Sequence, residues 1–251
     1  MGWLHDGHRA LIRQARAAAA TTVVTIFVNP RQFGDPSDLD QYPRNEARDI
    51  AICEAESVDI VFAPPVDEIY GPGSDTTVSV GALGKVLEGS ARPGHFDGVA
   101  TVVAILFDLV GAERAYFGQK DAQQVLVIRR MAADLAIPIE VVGCPTVREP
   151  DGLARSSRNV HLSPAARAAA PVLRRALLAA RARWETGERD SDALRAVMRG
   201  ILAAEPLANL DYVSVADAST LEELDRVDGP ALLSLAVRFG TTRLIDNEPL
   251  L

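Results

Sequence analysis

The chain has 251 residues, 48% of them hydrophobic, which is enough to bury one large core or two smaller ones. Its formal net charge of −8 gives no general electrostatic surface for nucleic acid or anionic lipid. No apolar run reaches the roughly 18 residues of a membrane span, so we expect neither a nucleic-acid nor a membrane partner. The only cysteines, Cys53 and Cys144, argue against a disulfide framework or a cysteine zinc site and favour a reducing cytoplasm.

The first part of the chain alternates helical patterns with runs rich in β-branched residues. Alternation of this kind predicts a parallel sheet wrapped by helices, an α/β fold. The predicted helices cover about residues 8–20, 44–57, 97–111 and 121–136, and the predicted strands cover 21–28, 58–64, 113–118 and 137–143. A stretch rich in glycine and proline separates the two halves of this pattern at residues 64–94.

The pattern changes beyond Pro145, where the composition becomes rich in alanine, arginine and leucine. Ser163 and Pro164 are predicted to cap and begin a helix. A further helix has one apolar face, and short strands follow at 210–217, 231–240 and 241–247. We therefore expect an α/β domain over residues 1–146 and a smaller α+β domain over 147–251. The apolar face consists of Leu194, Val197, Met198, Ile201 and Leu202.

Residues that directly follow parallel strands are the first candidates for a binding site, because open parallel sheets bind ligands at the carboxyl ends of their strands. FVNPRQFG is the first such stretch, in which Asn29, Gln32 and Gly34 follow an apolar run. Taken alone, the stretch is more typical of an ordinary strand-ending turn.

YFGQKDAQQ is the second stretch, with Gly118, Lys120 and Asp121 between a strand and a helix and Gln124 on the first turn. The chain has only two lysines, Lys85 and Lys120, among its 26 basic residues. A compact ammonium group suits a single phosphate oxygen, so Lys120 is a candidate phosphate ligand. The alternative is a helix cap with an exposed lysine.

VREPDGLARSSRNVHL is the third stretch. Ser156, Ser157 and Arg158 offer hydroxyls, amides and a bidentate guanidinium group, which together suit a polyphosphate. A solvated loop is the alternative.

The chain opens with MGWLHDGH, which places His5 and His8 three residues apart at a predicted helix start. They share one face beside free amides and the positive end of the helix dipole, which favours an anion site. Gly2 and Gly7 would allow close approach of a ligand. The alternatives are two capping imidazoles or a zinc pair with His95 or His161, but zinc on a helix more often uses histidines four apart.

Six stretches together make the chain resemble the pantothenate synthetase (pantoate–β-alanine ligase) family of H-x-G-H nucleotidyltransferases. The family joins (R)-pantoate to β-alanine with ATP and magnesium, through a pantoyl-adenylate, releasing pyrophosphate and then AMP. The resemblance implies a cytoplasmic homodimer, with a Rossmann-like ATP- and pantoate-binding domain and a C-terminal lid and dimer-proximal domain. The six stretches are MGWLHDGH, FVNPRQFG, RPGHFDGVATVV, YFGQKDAQQ, PTVREPDGLARSSRN and GTTRLIDN.

The resemblance also implies roles for individual residues. His8 would be the catalytic histidine, described in the family as a proton donor, and Gln32 and Gln124 would bind the substrates. His5, Lys120 and Arg158 would stabilise phosphate charge, and no protein metal ligand is assigned. The ATP-binding residues would be Met1, Gly2, Trp3, Leu4, His5, Asp6, Gly7, His8, Gly118, Gln119, Lys120, Asp121, Val147, Arg155, Ser156, Ser157 and Arg158.

Four positions depart from the family pattern. The family usually has glutamate at Gln119, an aromatic residue at Ala122, an apolar residue at Arg155 and a smaller residue at Trp3. Gln119 removes a negative charge and Arg155 adds a positive one, so we expect nucleotide affinity to differ from that of the family.

Two other functions are compatible with the sequence. Another H-x-G-H nucleotidyltransferase would release pyrophosphate without an added amine. A truncated, non-catalytic nucleotide-binding subunit would bind ATP without turnover. The second alternative follows from a further expectation, that Met1 is an internal methionine of a longer protein whose preceding strand ends in Pro-Thr, because such helix-start sites normally follow a strand.

Overall fold

The computed structural model describes residues 2–34, 39–40 and 42–251. The chain divides into two compact units, Met1–Pro145 and Thr146–Leu251. Each unit has hydrophobic core residues of its own. Among the described residues, no helix combines the length and the apolar character that a bilayer crossing requires.

The first unit begins with helix α1 (Asp6–Ala18), followed by strand β1 (Val23–Thr25). Helix α2 (Glu46–Ala55) connects β1 to strand β2 (Ile60–Phe62), and the two strands are parallel. The predicted strand 21–28 is therefore shorter in the structure, because β2 offers only three paired residues and the chain turns at Pro30–Gln32. The buried core here consists of Leu4, Ile12, Val24, Ile26 and Cys53.

A second helix–strand pattern completes the first unit. Strands β3 (Arg114–Gly118) and β4 (Glu140–Cys144) are parallel, and the carboxyl end of β3 leads into a 3₁₀ turn at Gln119–Asp121. Further helices of this unit are α3 (Val66–Ile69), α4 (Glu88–Ala91), α5 (His95–Val110) and α6 (Ala122–Asp134). Their core includes Phe96, Val99, Val103, Phe107, Val127, Ile128 and Met131.

The parallel strands of the described residues form two separate pairs, β1 with β2 and β3 with β4. The predicted α/β fold is confirmed, because the strands are parallel and alternate with helices. The strands form two separate pairs, however, and not the single sheet that was predicted. α1 lies beside β3, since Arg114 Nη1 donates to the carbonyl oxygen of Ala18 at 3.2 Å.

The second unit packs three helices against an antiparallel sheet. Ser163 caps α7 as predicted, with its Oγ accepting from the amide of Ala166 at 3.2 Å, and Pro164 is the first helical residue. The helices are α7 (Pro164–Ala169), α8 (Val172–Glu185) and α9 (Ser191–Ala203). The strands are β5 (Asn209–Asp217), β6 (Ala231–Phe239) and β7 (Thr242–Leu250), in the order β5-β6-β7.

The central strand β6 is buried along almost its whole length, with β5 and β7 on either side of it, and Leu233, Leu235 and Val237 share one hydrophobic core with the helices. The predicted apolar face of α9 is confirmed: Leu194, Met198 and Leu202 are fully buried, and Val197 and Ile201 pack against the same core. β7 also carries buried carboxylates, Asp246 and Glu248, which arginine side chains neutralise.

Candidate active site

The H-x-G-H motif forms the first turn of α1. His5 is the residue that caps this helix, and its Nδ1 accepts a hydrogen bond from the amide of Gly7 at 3.1 Å. His8 Nδ1 accepts in turn from the amide of His5 at 3.2 Å. The two rings lie 4.1 Å apart between centroids. The sequence-based prediction that the two histidines share one face of a helix start is therefore confirmed.

These two hydrogen bonds fix the tautomer of each ring. An amide N–H can only donate, so each Nδ1 uses its lone pair and carries no proton. A neutral imidazole then holds its proton on Nε2, which makes that nitrogen a donor. The motif therefore supplies two neutral N–H donors at the positive end of a helix dipole, a suitable environment for an anion.

The electrostatics of His8 also favour the neutral ring. Desolvation by burial, and then the neighbouring His5, lower the pKa of His8 from 6.5 to about 3. The charge of Asp121 raises this pKa and that of Lys120 lowers it, so both charges are close enough to act on the ring. His8 is therefore uncharged at neutral pH in the ligand-free protein, and its Nε2 donates a hydrogen bond without a net positive charge.

A buried carboxylate holds the segment that precedes the motif. Asp49 on α2 is 1% exposed, and its two oxygens accept from the amides of Trp3 and Leu4, both at 2.7 Å. Trp3 has a φ of 52°, and the guanidinium group of Arg48 lies 4.7 Å from the centre of its ring. Asp49 thereby fixes the entry into α1 across 46 residues of sequence.

Sequence reasoning missed Asp49. Its only signal is its position four residues before the buried Cys53, on the face of α2 that points into the core. Arg48 also contacts its carboxylate, with 3.3 Å between Nη1 and Oδ1.

Asn29 organises the turn that follows β1. It is 2% exposed, its Nδ2 donates to the carbonyl of Gly98 at 2.9 Å, and its Oδ1 accepts from the hydroxyl of Tyr70 at 2.8 Å. Gln32 Oε1 lies 3.3 Å from the same Nδ2. A fully hydrogen-bonded amide of this kind is rigid, so Asn29 fixes the position of Gln32.

Helix α5 presses directly against this turn. A Cβ atom at Gly98 would lie 2.3 Å from the carbonyl oxygen of Arg31, so only glycine fits. The carbonyl oxygen of Gln32 accepts from Arg92 Nη2 at 3.2 Å and from His95 Nδ1 at 2.9 Å. His95 is thus engaged with Gln32, and the described residues contain no group of three or more His, Cys, Asp or Glu side chains that could hold a metal.

Lys120 lies in the 3₁₀ turn after β3, with its side chain 16% exposed and its Nζ 3.1 Å from Asp121 Oδ1. Gly118 and Gln119 belong to the same connection, and Gln124 is half-buried on α6. Its neighbour Gln123 has a structural role, since it bonds to the backbone of Leu83, Val86 and Glu88.

The segment Val147–Arg158 belongs to the second unit. The amide of Arg155 donates to the carbonyl of Val147 at 2.9 Å, which closes a small hairpin. Ser156 caps the following 3₁₀ helix, since its Oγ accepts from the amide of Arg158 at 3.3 Å. Arg155 Nε lies 3.1 Å from Glu149 Oε1, so part of the additional positive charge is neutralised within the hairpin.

The structure brings His5, His8, Lys120 and Asp121 into one electrostatic environment in the first unit. Gln32 and Asn29 form one hydrogen-bonded turn there. For each of the other predicted site residues, the structure gives the position within its own unit. Met1 lies outside the described residues.

Comparison with known proteins gives the family. The model of the family described as pantoate-beta-alanine ligase matches residues 1–249. The pantothenate synthetase of Roseiflexus castenholzii is 62% identical over 247 residues, which cover 98% of this chain and 89% of the relative. The chain belongs to the pantoate–β-alanine ligase family. The resemblance seen in the six sequence stretches is therefore confirmed.

Solved structures of the family have the same fold. The crystal structure of the Thermus thermophilus pantothenate synthetase gives a TM-score of 0.95 at 50% identity, covering 99% of this chain and 90% of that one. A Francisella tularensis pantoate-beta-alanine ligase, complexed with beta-gamma ATP and beta-alanine, gives a TM-score of 0.79 at 32% identity. That match covers 99% of this chain and 86% of the other.

Proposed function

We propose that this chain catalyses the ATP-dependent condensation of (R)-pantoate with β-alanine, giving pantothenate, AMP and pyrophosphate. The observation that carries this proposal is the pair of neutral N–H donors at the start of α1, beside Lys120, in a chain of the pantoate–β-alanine ligase family. Such a group suits a nucleotide phosphate, and the first reaction step takes place at a phosphate.

In the first step, a carboxylate oxygen of pantoate attacks the α-phosphorus of ATP. A bond forms between that oxygen and phosphorus, the bond to the bridging α–β oxygen breaks, and pyrophosphate leaves with the electron pair. Negative charge therefore increases on the leaving group, where donors that are already oriented give the greatest stabilisation.

His5 and His8 are proposed to donate from Nε2 to phosphate oxygens. Their Nδ1 atoms are held by backbone amides, so the rings need little reorientation when charge develops. Because His8 is neutral, its Nε2–H donates a hydrogen bond. The ring is not a positively charged imidazolium that could transfer a proton. This is a different role from the proton donor that the family resemblance implied.

Lys120 and Arg158 are proposed to offset the charge of the phosphates. Lys120 is largely withdrawn from solvent, which strengthens its electrostatic effect on a bound anion. Gln32 and Gln124 are proposed to orient pantoate, with Gln32 also contacting β-alanine. Neutral amides can hold a carboxylate without the strong ground-state stabilisation of a salt bridge.

In the second step, the amine nitrogen of β-alanine attacks the acyl carbon of pantoyl-adenylate. A carbon–nitrogen bond forms, the bond from carbon to the AMP oxygen breaks, and the nitrogen loses a proton.

We also propose that the residues predicted from the sequence to bind ATP do so. Residues 1–146 are proposed as the ATP- and pantoate-binding domain, and residues 147–251 as the lid and dimer-proximal domain.

Magnesium is proposed to accompany ATP. Magnesium keeps several waters and commonly binds through substrate phosphates with few protein ligands. We therefore assign the ion to the triphosphate and no residue to the ion; when bound, it would supply positive charge to the phosphates.

A homodimer and a cytoplasmic location are also proposed. The family resemblance supports both, and two buried free thiols, Cys53 and Cys144, suit a reducing compartment. Sedimentation equilibrium should give twice the chain mass of 26.9 kDa.

The test of function is a direct assay with ATP, magnesium, pantoate and β-alanine. Pantothenate should form, and AMP should accumulate only when β-alanine is present. Pyrophosphate release that continues over many turnovers without β-alanine would favour another nucleotidyltransferase. Calorimetric binding of ATP without any turnover would instead favour a non-catalytic subunit.

A further inference from the structure

A buried ion pair joins the hairpin 147–155 to the sheet of the second unit. Arg148 donates from Nη1 to Asp246 Oδ2 at 2.7 Å and from Nη2 to Asp246 Oδ1 at 3.0 Å. The Asp246 side chain is 2% exposed and that of Arg148 is 18% exposed. A bidentate pair of this kind fixes direction as well as distance.

The same guanidinium group also bonds within its own hairpin. Arg148 Nη1 donates to the carbonyl of Gly152 at 3.1 Å, which ties the group to the turn. The amide of Glu149 donates to the carbonyl of Leu153 at 2.8 Å, and Leu153 and Ala154 are buried. The hairpin is therefore a compact unit that the Arg148–Asp246 pair holds to β7, with Leu153 buried in the hydrophobic core of the second unit.

The segment that follows the hairpin is also held at its far end. Asn159 Nδ2 donates to the carbonyl of Ala154 at 3.1 Å, and the carbonyl of His161 lies 3.5 Å from the hydroxyl of Thr242. Thr242 and Asp246 are both on β7. Strand β7 thus holds the chain before and after the segment Arg155–Arg158.

We propose that Arg148 and Asp246 are positioning residues that preorganise the nucleotide-binding segment Arg155–Arg158. This inference rests on the proposed function, because that function assigns the segment to ATP. A loop that is already ordered loses less conformational entropy when it binds its ligand. Neither residue needs to touch ATP for this effect.

The first variant is Asp246→Asn, which keeps the shape of the side chain and removes its charge. We expect the KM for ATP to rise about tenfold or more, because the loss of the ion pair would displace the nucleotide-binding segment. The KM for β-alanine should change little. Hydrogen exchange without nucleotide should also be faster at the amides of Glu149, Gly152 and Arg155, which bond within the hairpin.

The matched control is Glu223→Gln. This substitution weakens another arginine–carboxylate pair of the same unit, the one between buried Arg195 and Glu223. The hydrogen bonds of the Glu223 side chain go to Arg195 and the amide of Val215, away from the hairpin segment. We expect it to lower the melting temperature while the KM for ATP and the exchange of the hairpin amides stay unchanged. A purely structural role of Asp246 would make the two variants behave alike.

Arg148→Lys serves where Asp246→Asn fails to fold, because it retains the charge and removes the bidentate geometry. Arg148→Gln combined with Asp246→Asn should raise the KM for ATP no further than Arg148→Gln alone, because Arg148→Gln already removes the ion pair. Unchanged KM and unchanged hairpin exchange, or fully additive effects, would overturn the inference. A wild-type chain that makes no pantothenate would instead refute the proposed function, while the exchange experiment would still test the hairpin.

Discussion

At the scale of single residues, the proposed chemistry depends on which nitrogen of each imidazole carries a proton. Backbone amides occupy Nδ1 of both His5 and His8, so each neutral ring carries its proton on Nε2. Burial keeps His8 neutral, because removal from water lowers the pKa of its ring, and the neighbouring His5 lowers this pKa further. Lys120 then supplies the formal positive charge.

The low pKa of His8 makes stability depend on pH. The folded state binds fewer protons than the unfolded state between about pH 3 and 6.5, so the free energy of unfolding should fall as the pH drops through this window. We expect a smaller loss of melting temperature between pH 7 and 5 in His8→Gln than in the wild type. An NMR titration of the His8 ring with its midpoint near 6.5 would contradict this expectation.

The two lysines of the chain provide a matched pair of variants. Lys120→Ala should lower the rate of adenylate formation by about a hundredfold or more, the effect of one preorganised electrostatic donor. Lys85 is exposed in another turn, so Lys85→Ala should leave the rate unchanged. Rapid-quench measurement of pyrophosphate release compares them, and equal rates in both variants would remove Lys120 from the site.

At the scale of secondary-structure elements, helix α5 sets the position of the turn that carries Gln32. The backbone of α5 at Gly98 contacts the carbonyl of Arg31, and Asn29 bonds to the carbonyl of Gly98. The helix and the turn therefore behave as one rigid element, and Gly98 is the point of closest approach.

Gly98→Ala should displace this turn, because its Cβ would lie 2.3 Å from the carbonyl oxygen of Arg31. We expect a higher KM for pantoate and a lower melting temperature. Gly200 in α9 is the control, since a Cβ there meets nothing within 4 Å, and Gly200→Ala should stabilise the protein by up to about 1 kcal/mol. A normal KM for pantoate in Gly98→Ala would show that the turn tolerates the shift.

At the scale of the whole molecule, the two units have separate hydrophobic cores. The core of the second unit lies between α8, α9 and the antiparallel sheet, and Leu177 is fully buried in it. Separate cores allow one unit to lose stability while the other keeps its own.

Leu177→Ala should destabilise the second unit by about 2–5 kcal/mol through the cavity it leaves. Leu178 is 43% exposed on the same helix, so Leu178→Ala should cost about 0.5 kcal/mol or less. Hydrogen exchange in Leu177→Ala should become faster in β5–β7 than in β3 and β4. Equal loss of protection in both sets of strands would mean that the units unfold as one.

Local pattern was sufficient for much of the fold. The predicted helix at 8–20 is observed at Asp6–Ala18, and Ser163 and Pro164 begin a helix as expected, because capping depends on neighbouring residues. Between Ser163 and the helix that carries Leu194, the sequence pattern predicted one helix, whereas the structure has two, α7 and α8, with Pro171 between them. The strand at 21–28 shortened because strand length depends on its partner.

The sequence by itself determined the alternation of elements, the helix-start histidines and the family, since these depend on residue type and spacing along the chain. Only the tertiary structure decided that Asp49 holds Trp3 and Leu4, and that Asp246 binds Arg148 across 98 residues. A carboxylate on a strand or helix has many possible partners in a linear sequence. Burial selects one of them, because a charge removed from water must be neutralised where the folded chain places it.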